Sequence, residues 1–372
     1  MHLSANSQFP EIETHQKLLQ LWSSRYLPNL DNLPRQVKRH IVPRLHAAIE
    51  DRARHQTRQI VRQHLALACA SAAAETQELL TTSGIAPCSW EIRDLSIQMH
   101  TIYEVLMECY ASGCIFSPLL RYVNTVHSDF SRHLVAVEVL PAFHQLTAKL
   151  NPRLQEIKMA YRFSKTPNMG GFMTTQFHLT QQRILQPLDS YTRFWLTPYL
   201  QLVDEMLCMP WQQICTVAAT RTIPHEAVSI VEKTLANSQT VAEATYGRSL
   251  KLYPQHRSYQ GRIQSQAVQY SCVRDFNMFQ AYICLCLLEG SLTAIERDLL
   301  PLCQQVFTAT GVSWELVTRT VADILEQMQQ PLTPEEKLVF ASYAREIESL
   351  FVRTAEQHRE IYSPQHLTMS AS

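Results

Sequence analysis

The chain has 372 residues, with 33 Lys and Arg against 33 Asp and Glu, 46% apolar and 18% charged residues, and eight glycines. This balance supplies core for one or two domains and excludes the polar, charge-rich signature of disorder. So few glycines argue against an all-β chain dense in tight turns, and the abundance of Leu, Ala, Gln, Glu and Arg points to an all-α class.

Ten cysteines occur without CxxC or CxxH spacing, and the first residues show no basic segment followed by an apolar run. Neither a secreted disulfide scaffold nor a zinc module is expected, and a reducing, cytoplasmic compartment is the plain expectation. No run of eighteen apolar residues is present, so a spanning helix is not expected, while peripheral contact with a membrane surface stays open. The charge is unevenly placed. From Arg35 to His64 eight Lys and Arg face only Glu50 and Asp51, whereas Glu289 to Glu360 holds twelve acids against six bases. Such asymmetry either steers docking to a charged partner or marks two solvated helix faces.

In chain order, a helical stretch follows Pro34 and runs towards Thr82, where Ser83-Gly84-Ile85-Ala86-Pro87 breaks it. A second begins near Cys88, with Leu95, Ile97, Met99, Ile102, Tyr103, Leu106 and Met107 at near-helical spacing before Gly113. A third is expected over about Leu119 to Leu150, interrupted at Pro141. Lys165 to Gly171 reads as the clearest non-helical segment, a linker or an ordered loop. An aromatic-rich helical region follows from Gln176 to Thr216, more simply core or interface than a cofactor box. Pro224 opens a helix to about Ala236. After a loop holding Pro254 and Gly261, a long helix runs from about Gln264 to Glu289, presenting Phe276, Phe279, Ile283, Cys286 and Leu287 as an apolar face and closing at Gly290. Thr293 with Glu296 has the capping-box pattern, Gly311 ends that helix, and Ser313 can cap the next. Thr333-Pro334-Glu335-Glu336 combines an N-cap, an N1 proline and a capping-box Glu.

The run Cys272-Val-Arg274-Asp275 at the start of a long apolar helix, then Glu289-Gly290-Ser-Leu-Thr293-Ala-Ile295-Glu296, resembles the phycobiliprotein (phycobilisome protein) family. In that family a bilin-bearing Cys-x-Arg-Asp opens such a helix, an Ala-Gly-Asp turn ends it, and Thr-Pro-Ile-Glu begins the next. The resemblance continues through Val306-Phe307, Gly311 and Ser313 to Leu332-Thr333 and the closing helix up to Leu350. It is specific over Cys272 to Leu350, extends more weakly back to Pro210, and assigns nothing earlier. It implies an all-α chain with a helical domain of unknown family over residues 1–205 and a globin-like domain over 206–363.

The resemblance also implies a site. Cys272 would carry a linear tetrapyrrole (bilin) by a thioether, Asp275 would accept hydrogen bonds from its pyrrole N–H groups, and Arg274 would clamp a propionate. The alternative is that Cys272 is a buried small residue and Arg274 with Asp275 a helix-surface or subunit-contact pair. Three departures bear on that choice. Met278, Phe279, Gln280 and Ala281 stand where the family has two tyrosines and then Leu-Arg; Pro254 to Gly261 replaces a Pro-Gly-Gly-Asn loop; and a free-standing antenna subunit would have half this length.

Other chemistry finds little support. No histidine lies between His256 and His358, which argues against a globin-type haem site there, and the eleven histidines before residue 180 show no HExxH or similar ligand spacing. No GxxxxGK[ST], GxGxxG or GxSxG element occurs, nucleic acid is not an expected partner, and no enzyme activity is expected. Three readings remain. The first is a phycobilisome-related accessory protein acting in light-harvesting antenna assembly or regulation, with phycobilisome or other antenna proteins, and with its own copies, as partners at the thylakoid surface. The second is a bilin-carrying photoactive or antenna protein, and the third an enzyme or chaperone of tetrapyrrole pigment metabolism.

Overall fold

The computed structural model describes residues 17–18, 21–22, 25–26, 41, 43–81, 88–112, 121–123, 133–135, 143–162, 169–220 and 223–361. The chain is all-α and divides into two compact units, Ser23–Leu207 and Cys208–Ser372 with Met1–Trp22.

In the first unit, α1 (Asp51–Thr81) buries Arg54, Thr57, Val61, Leu65, Ala68, Ala72 and Leu79, spaced three, four or seven apart, so one stripe faces inward. Its buried Arg54 donates to the Ile49 carbonyl at 2.7 Å and to Asp51 at 3.1 Å, fixing the turn that leads into the helix. α2 (Ser89–Ser112) starts where Glu91 accepts from the Cys88 N–H at 3.0 Å. Its expected core positions are buried except Ile97, which is 56% exposed.

A third helix over Leu119 to Leu150 is not what forms. Residues there include two short antiparallel strands, β1 (Arg121–Val123) and β2 (His133–Val135), paired Arg121 with Val135 and Val123 with His133. Tyr122, Val123, Leu134 and Val135 suit a pleated strand, and the helix begins only beyond Pro141, as α3 (Phe143–Arg162). α4 (Met169–Leu185) incorporates Met169, Gly170 and Gly171 from the segment expected to be non-helical; residues 163–168 lie outside the described ones. Asp189 Oδ1 then accepts from both the Tyr191 and Thr192 N–H groups, at 2.9 and 3.1 Å, capping α5 (Ser190–Cys208). α1 packs on both α2 and α4, and α3 packs on α2 and α4.

The second unit comprises α6 (Trp211–Thr220), α7 (His225–Leu252), a two-residue-strand hairpin β3 (Arg257–Ser258) and β4 (Gly261–Arg262), α8 (Gln266–Glu289), a π-helical turn (Ile295–Leu299) leading into α9 (Leu300–Thr310), α10 (Trp314–Met328) and α11 (Pro334–Ile361). α7 runs sixteen residues past the expected end at Ala236. No proline interrupts it, and Ser238, Val241, Ala242, Thr245, Tyr246 and Ser249 continue its buried stripe. Side-chain packing, rather than the weak helix propensity of Asn237 and Ser238, decides its length.

α8 is the central element. Residues 276–288 are buried without exception, so what the sequence shows as one apolar face is a helix enclosed all round. Its polar members donate to α7: the Gln280 amide donates to the Ser238 carbonyl at 3.0 Å, and Asn277 to the Gln239 side chain at 3.2 Å, while Gln280 Oε1 is buried without a partner among the described residues. Phe279 stacks near Phe307 of α9 and Phe351 of α11, with ring centroids 6.5 and 5.6 Å away. Gly290 closes α8 with φ 67°, Gly311 closes α9 with φ 75°, and Ser313 caps α10 by accepting from Leu316. The Thr293–Glu296 box does not form, because the Glu296 N–H bonds to Leu292 and the chain enters the π-helical turn instead.

The Thr333–Glu336 box does form, in both directions: Glu336 accepts from the Thr333 N–H at 2.7 Å and its own N–H donates to Thr333 Oγ1 at 3.3 Å. The buried carboxylate also accepts from Ser229 at 2.6 Å and Lys233 at 2.6 Å, joining α11 to α7. Burial opposes its charge, but the hydrogen bonds from Lys233, Ser229 and Thr333 and the Lys233 charge bring its pKa down from 4.5 to about 2. A depressed carboxyl pKa stabilises the fold above its unfolded value, and that contribution is lost as pH falls from 4.5 towards about 2. Glu336→Gln should therefore cost roughly 1.5–3 kcal/mol near neutrality and flatten the acid limb of stability in that window, as read by denaturant unfolding at a series of pH values.

Candidate functional site

The first two turns of α8 differ from the rest of the helix. Residues 271–275 are only partly covered, whereas every residue from Phe276 to Leu288 is buried. Ser265 sets the start by accepting from the Val268 N–H, and the β3–β4 hairpin leads into it, with Gly261 at φ 122° where a side chain would strain the backbone. Tyr246 of α7 fastens this corner by donating to the Ile263 carbonyl at 2.7 Å.

Cys272, Arg274 and Asp275 all lie on this emergent end. Arg274 and Asp275 are in direct contact: Nε and a terminal guanidinium nitrogen both donate to Asp275 Oδ1, at 2.9 and 2.6 Å, with the two side chains 14% and 17% exposed. Adjacent helix positions diverge by about a quarter turn, so the long arginine has to fold back to make this pair. Cys272 precedes Asp275 by three residues and shares its side of the helix. Burial, and next the Asp275 charge, push the Cys272 thiol up to about 12, with Arg274 pulling the other way.

Two further side chains belong to the neighbourhood. Tyr246 is raised by burial and then by the Cys272 charge, and Cys303 of α9 is raised well above its ordinary value by burial and then by Asp275. The electrostatics of Tyr246 on α7 and Cys303 on α9 are thus tied to the start of α8. Tyr246 was not legible as part of this neighbourhood, because it lies in the stretch of α7 beyond the expected helix end. A continuous i, i+3, i+4 stripe of small and apolar residues through Val241, Ala242 and Thr245 is the signal that reveals it.

Comparison with family models assigns the second unit. Residues 212–356 match the phycobilisome protein family. Comparison with curated proteins and with solved structures found no match. The matched segment covers α7 to α10, nearly all of α6 and most of α11, including the whole cluster around Cys272, and it is this part of the chain that is similar to phycobilisome proteins.

As a donor set, the cluster fits the bilin chemistry of that family: a thiol to bond, a carboxylate to accept from pyrrole N–H groups, and a guanidinium for a carboxylate tail. Its present pairing spends the last two groups on each other. Elsewhere the first unit buries a histidine–carboxylate pair, His178 Nδ1 to Asp204 Oδ2 at 3.5 Å, with the Gln182 amide 3.1 Å from His178 Nε2. No group of three His, Cys, Asp or Glu able to hold a metal occurs among the described residues. In the basic run, Arg58 meets Glu108 and Arg62 meets Glu104 at 3.6 Å, so α2 supplies acids to part of it.

Thiol reactivity follows from this arrangement, since only the thiolate attacks. In timed alkylation near neutral pH, read by mass spectrometry, the exposed Cys88 should be modified well ahead of Cys272. Asp275→Asn should speed modification of Cys272 several-fold, and Arg274→Ala should slow it; equal rates in all three proteins would contradict the electrostatics described.

Proposed function

We propose that this chain is a phycobilisome-related accessory protein that acts in antenna assembly or regulation through protein contacts, with no catalytic role. The observation that carries this reading is the Arg274–Asp275 pair, closed on itself beside a thiol held at about 12, inside a phycobilisome protein domain. The recognition groups of a pigment site are engaged with each other, and the attaching thiol is protonated near neutrality. An additional helical domain over residues 1–205, ahead of the globin-like one over 206–363, is where this reading places partner specificity. Its partners would be phycobilisome or other antenna proteins at the thylakoid surface.

A second reading, a bilin on Cys272, is favoured by one specific observation: Cys272, Arg274 and Asp275 occupy a single partly exposed corner of the domain. Bound there, a bilin would supply visible absorption. Cys272 would tether it, Asp275 would hold the pyrrole protons, and Arg274 would exchange its carboxylate partner for the pigment's own.

One purification separates the two. The protein is isolated from cells that make bilins and their attachment enzymes, denatured, and read by absorption and zinc fluorescence beside Cys272→Ala. The accessory reading expects a colourless wild type that cosediments with intact phycobilisomes. A covalent visible band present in the wild type and lost in Cys272→Ala would replace it with the pigment reading, and failure to cosediment would remove the proposed partner.

A further inference from the structure

The first unit carries a surface that lies outside the family match. On the solvent side of α1, Ile60, Gln63, Leu67, Ala70 and Ala74 are exposed at alternating spacings of three and four, the spacing at which one helix seats against another. Beside this ridge, α1 and α2 enclose an open groove of about 540 Å³ lined by Cys69, Ala70, Ala73, Ala74, Ile92 and Ile97. Large apolar side chains of the two helices stand in water: Ile97, in the groove, is 56% exposed, Leu67, on the ridge, 67%, and Trp90, at the start of α2, 69%. Clustered exposure of this kind marks a contact surface, and alanines in the groove let a second helix approach to the 8–10 Å axis separation of packed helices.

The charges of α1 say which helix. Its first half carries Arg52, His55, Arg58 and Arg62 against the single exposed acid Asp51, and its last turns carry Glu75 and Glu78, with neutral residues along the ridge itself. A helix with that order is complementary to itself when antiparallel. We propose that the α1–α2 pair is a self-association surface, on which a second copy of this chain docks its own α1–α2 across a two-fold axis passing between Ala66 and Leu67. In that register Ala70 lies over Gln63 of the second copy, Ala74 near its Ile60, and Glu78 beside its Arg52 and His55. The two ridges pack along each other at the axis and the α2 helices flank them, giving a four-helix arrangement with an isologous interface.

The test is the mass of the full chain in solution, by sedimentation and light scattering across the micromolar range. Two chain masses are expected for the wild type. Ile97→Glu and Ala70→Glu, both at exposed positions, should reduce this to one with unchanged helical circular dichroism. Glu78→Arg should weaken the pairing, and the double variant Glu78→Arg/Arg52→Glu should restore it. A wild type of single mass throughout, or a dimer indifferent to Ile97→Glu and Ala70→Glu, would overturn the proposal. So would a chain that gains mass only when phycobilisome proteins are added, since the groove would then belong to a foreign helix; a double variant no better than Glu78→Arg would overturn the antiparallel register.

Discussion

The second unit depends on one constraint: α8 is enclosed on all sides from Phe276 to Leu288. A helix buried all round has no face to spare, so every neighbour must present a complementary apolar surface, and every polar side chain within the stretch must be paired. α7 meets most of both demands, packing its buried stripe along α8 and offering the Ser238 carbonyl and Gln239 side chain to the amide donors of Gln280 and Asn277, with Gln280 Oε1 left unpaired among the described residues. The aromatic contacts of Phe279 with Phe307 and Phe351 close the remaining sides.

That enclosure also decides where chemistry can occur. Charged groups within residues 276–288 would be stranded in a medium that penalises them heavily, so charge on α8 is confined to Glu289 at its far end and to the turns before Phe276. Cys272, Arg274 and Asp275 sit on those turns. The environment still leaves its mark, since partial burial is what raises the thiol and what makes a close Arg274–Asp275 contact worth the loss of side-chain freedom. Charges in the rest of the unit follow the same logic: the buried Asp323 is met by Arg248 and Arg319, and the buried Glu336 by Lys233.

Local punctuation was legible wherever a single residue controls the backbone. Gly290 and Gly311 adopt left-handed conformations at helix ends, Ser313 caps, and Thr333 with Glu336 forms its reciprocal box, each because the chemistry is complete within a few residues. Thr293 with Glu296 offers the same letters, yet the chain there winds into a π-helical turn. What the pattern lacks is tertiary information: Ile295 and Leu299 are fully buried beneath the domain, and satisfying their packing outweighs a cap worth about 1 kcal/mol. The length of α7, the strands at Arg121–Val123 and His133–Val135, and the exposure of Ile97 were hidden for the same reason. The site triplet was legible through its family motif, but the mutual pairing of Arg274 and Asp275 was not, because adjacent residues on a helix ordinarily point apart.

Ile97 shows how such a mismatch can be informative. By periodicity it belongs with Leu95 and Met99 in the core, and those two are fully buried while Ile97 stands in water. A helix of 3.6 residues per turn cannot direct i, i+2 and i+4 to one face, so an apolar residue at the middle position serves a different surface. On α1 the same argument applies to Leu67, which lies between the buried Leu65 and Ala68 yet faces outward. Leu67 and Ile97 thus give α1 and α2 apolar side chains away from their common core, and these are the positions on which the proposed self-association through the α1–α2 pair rests.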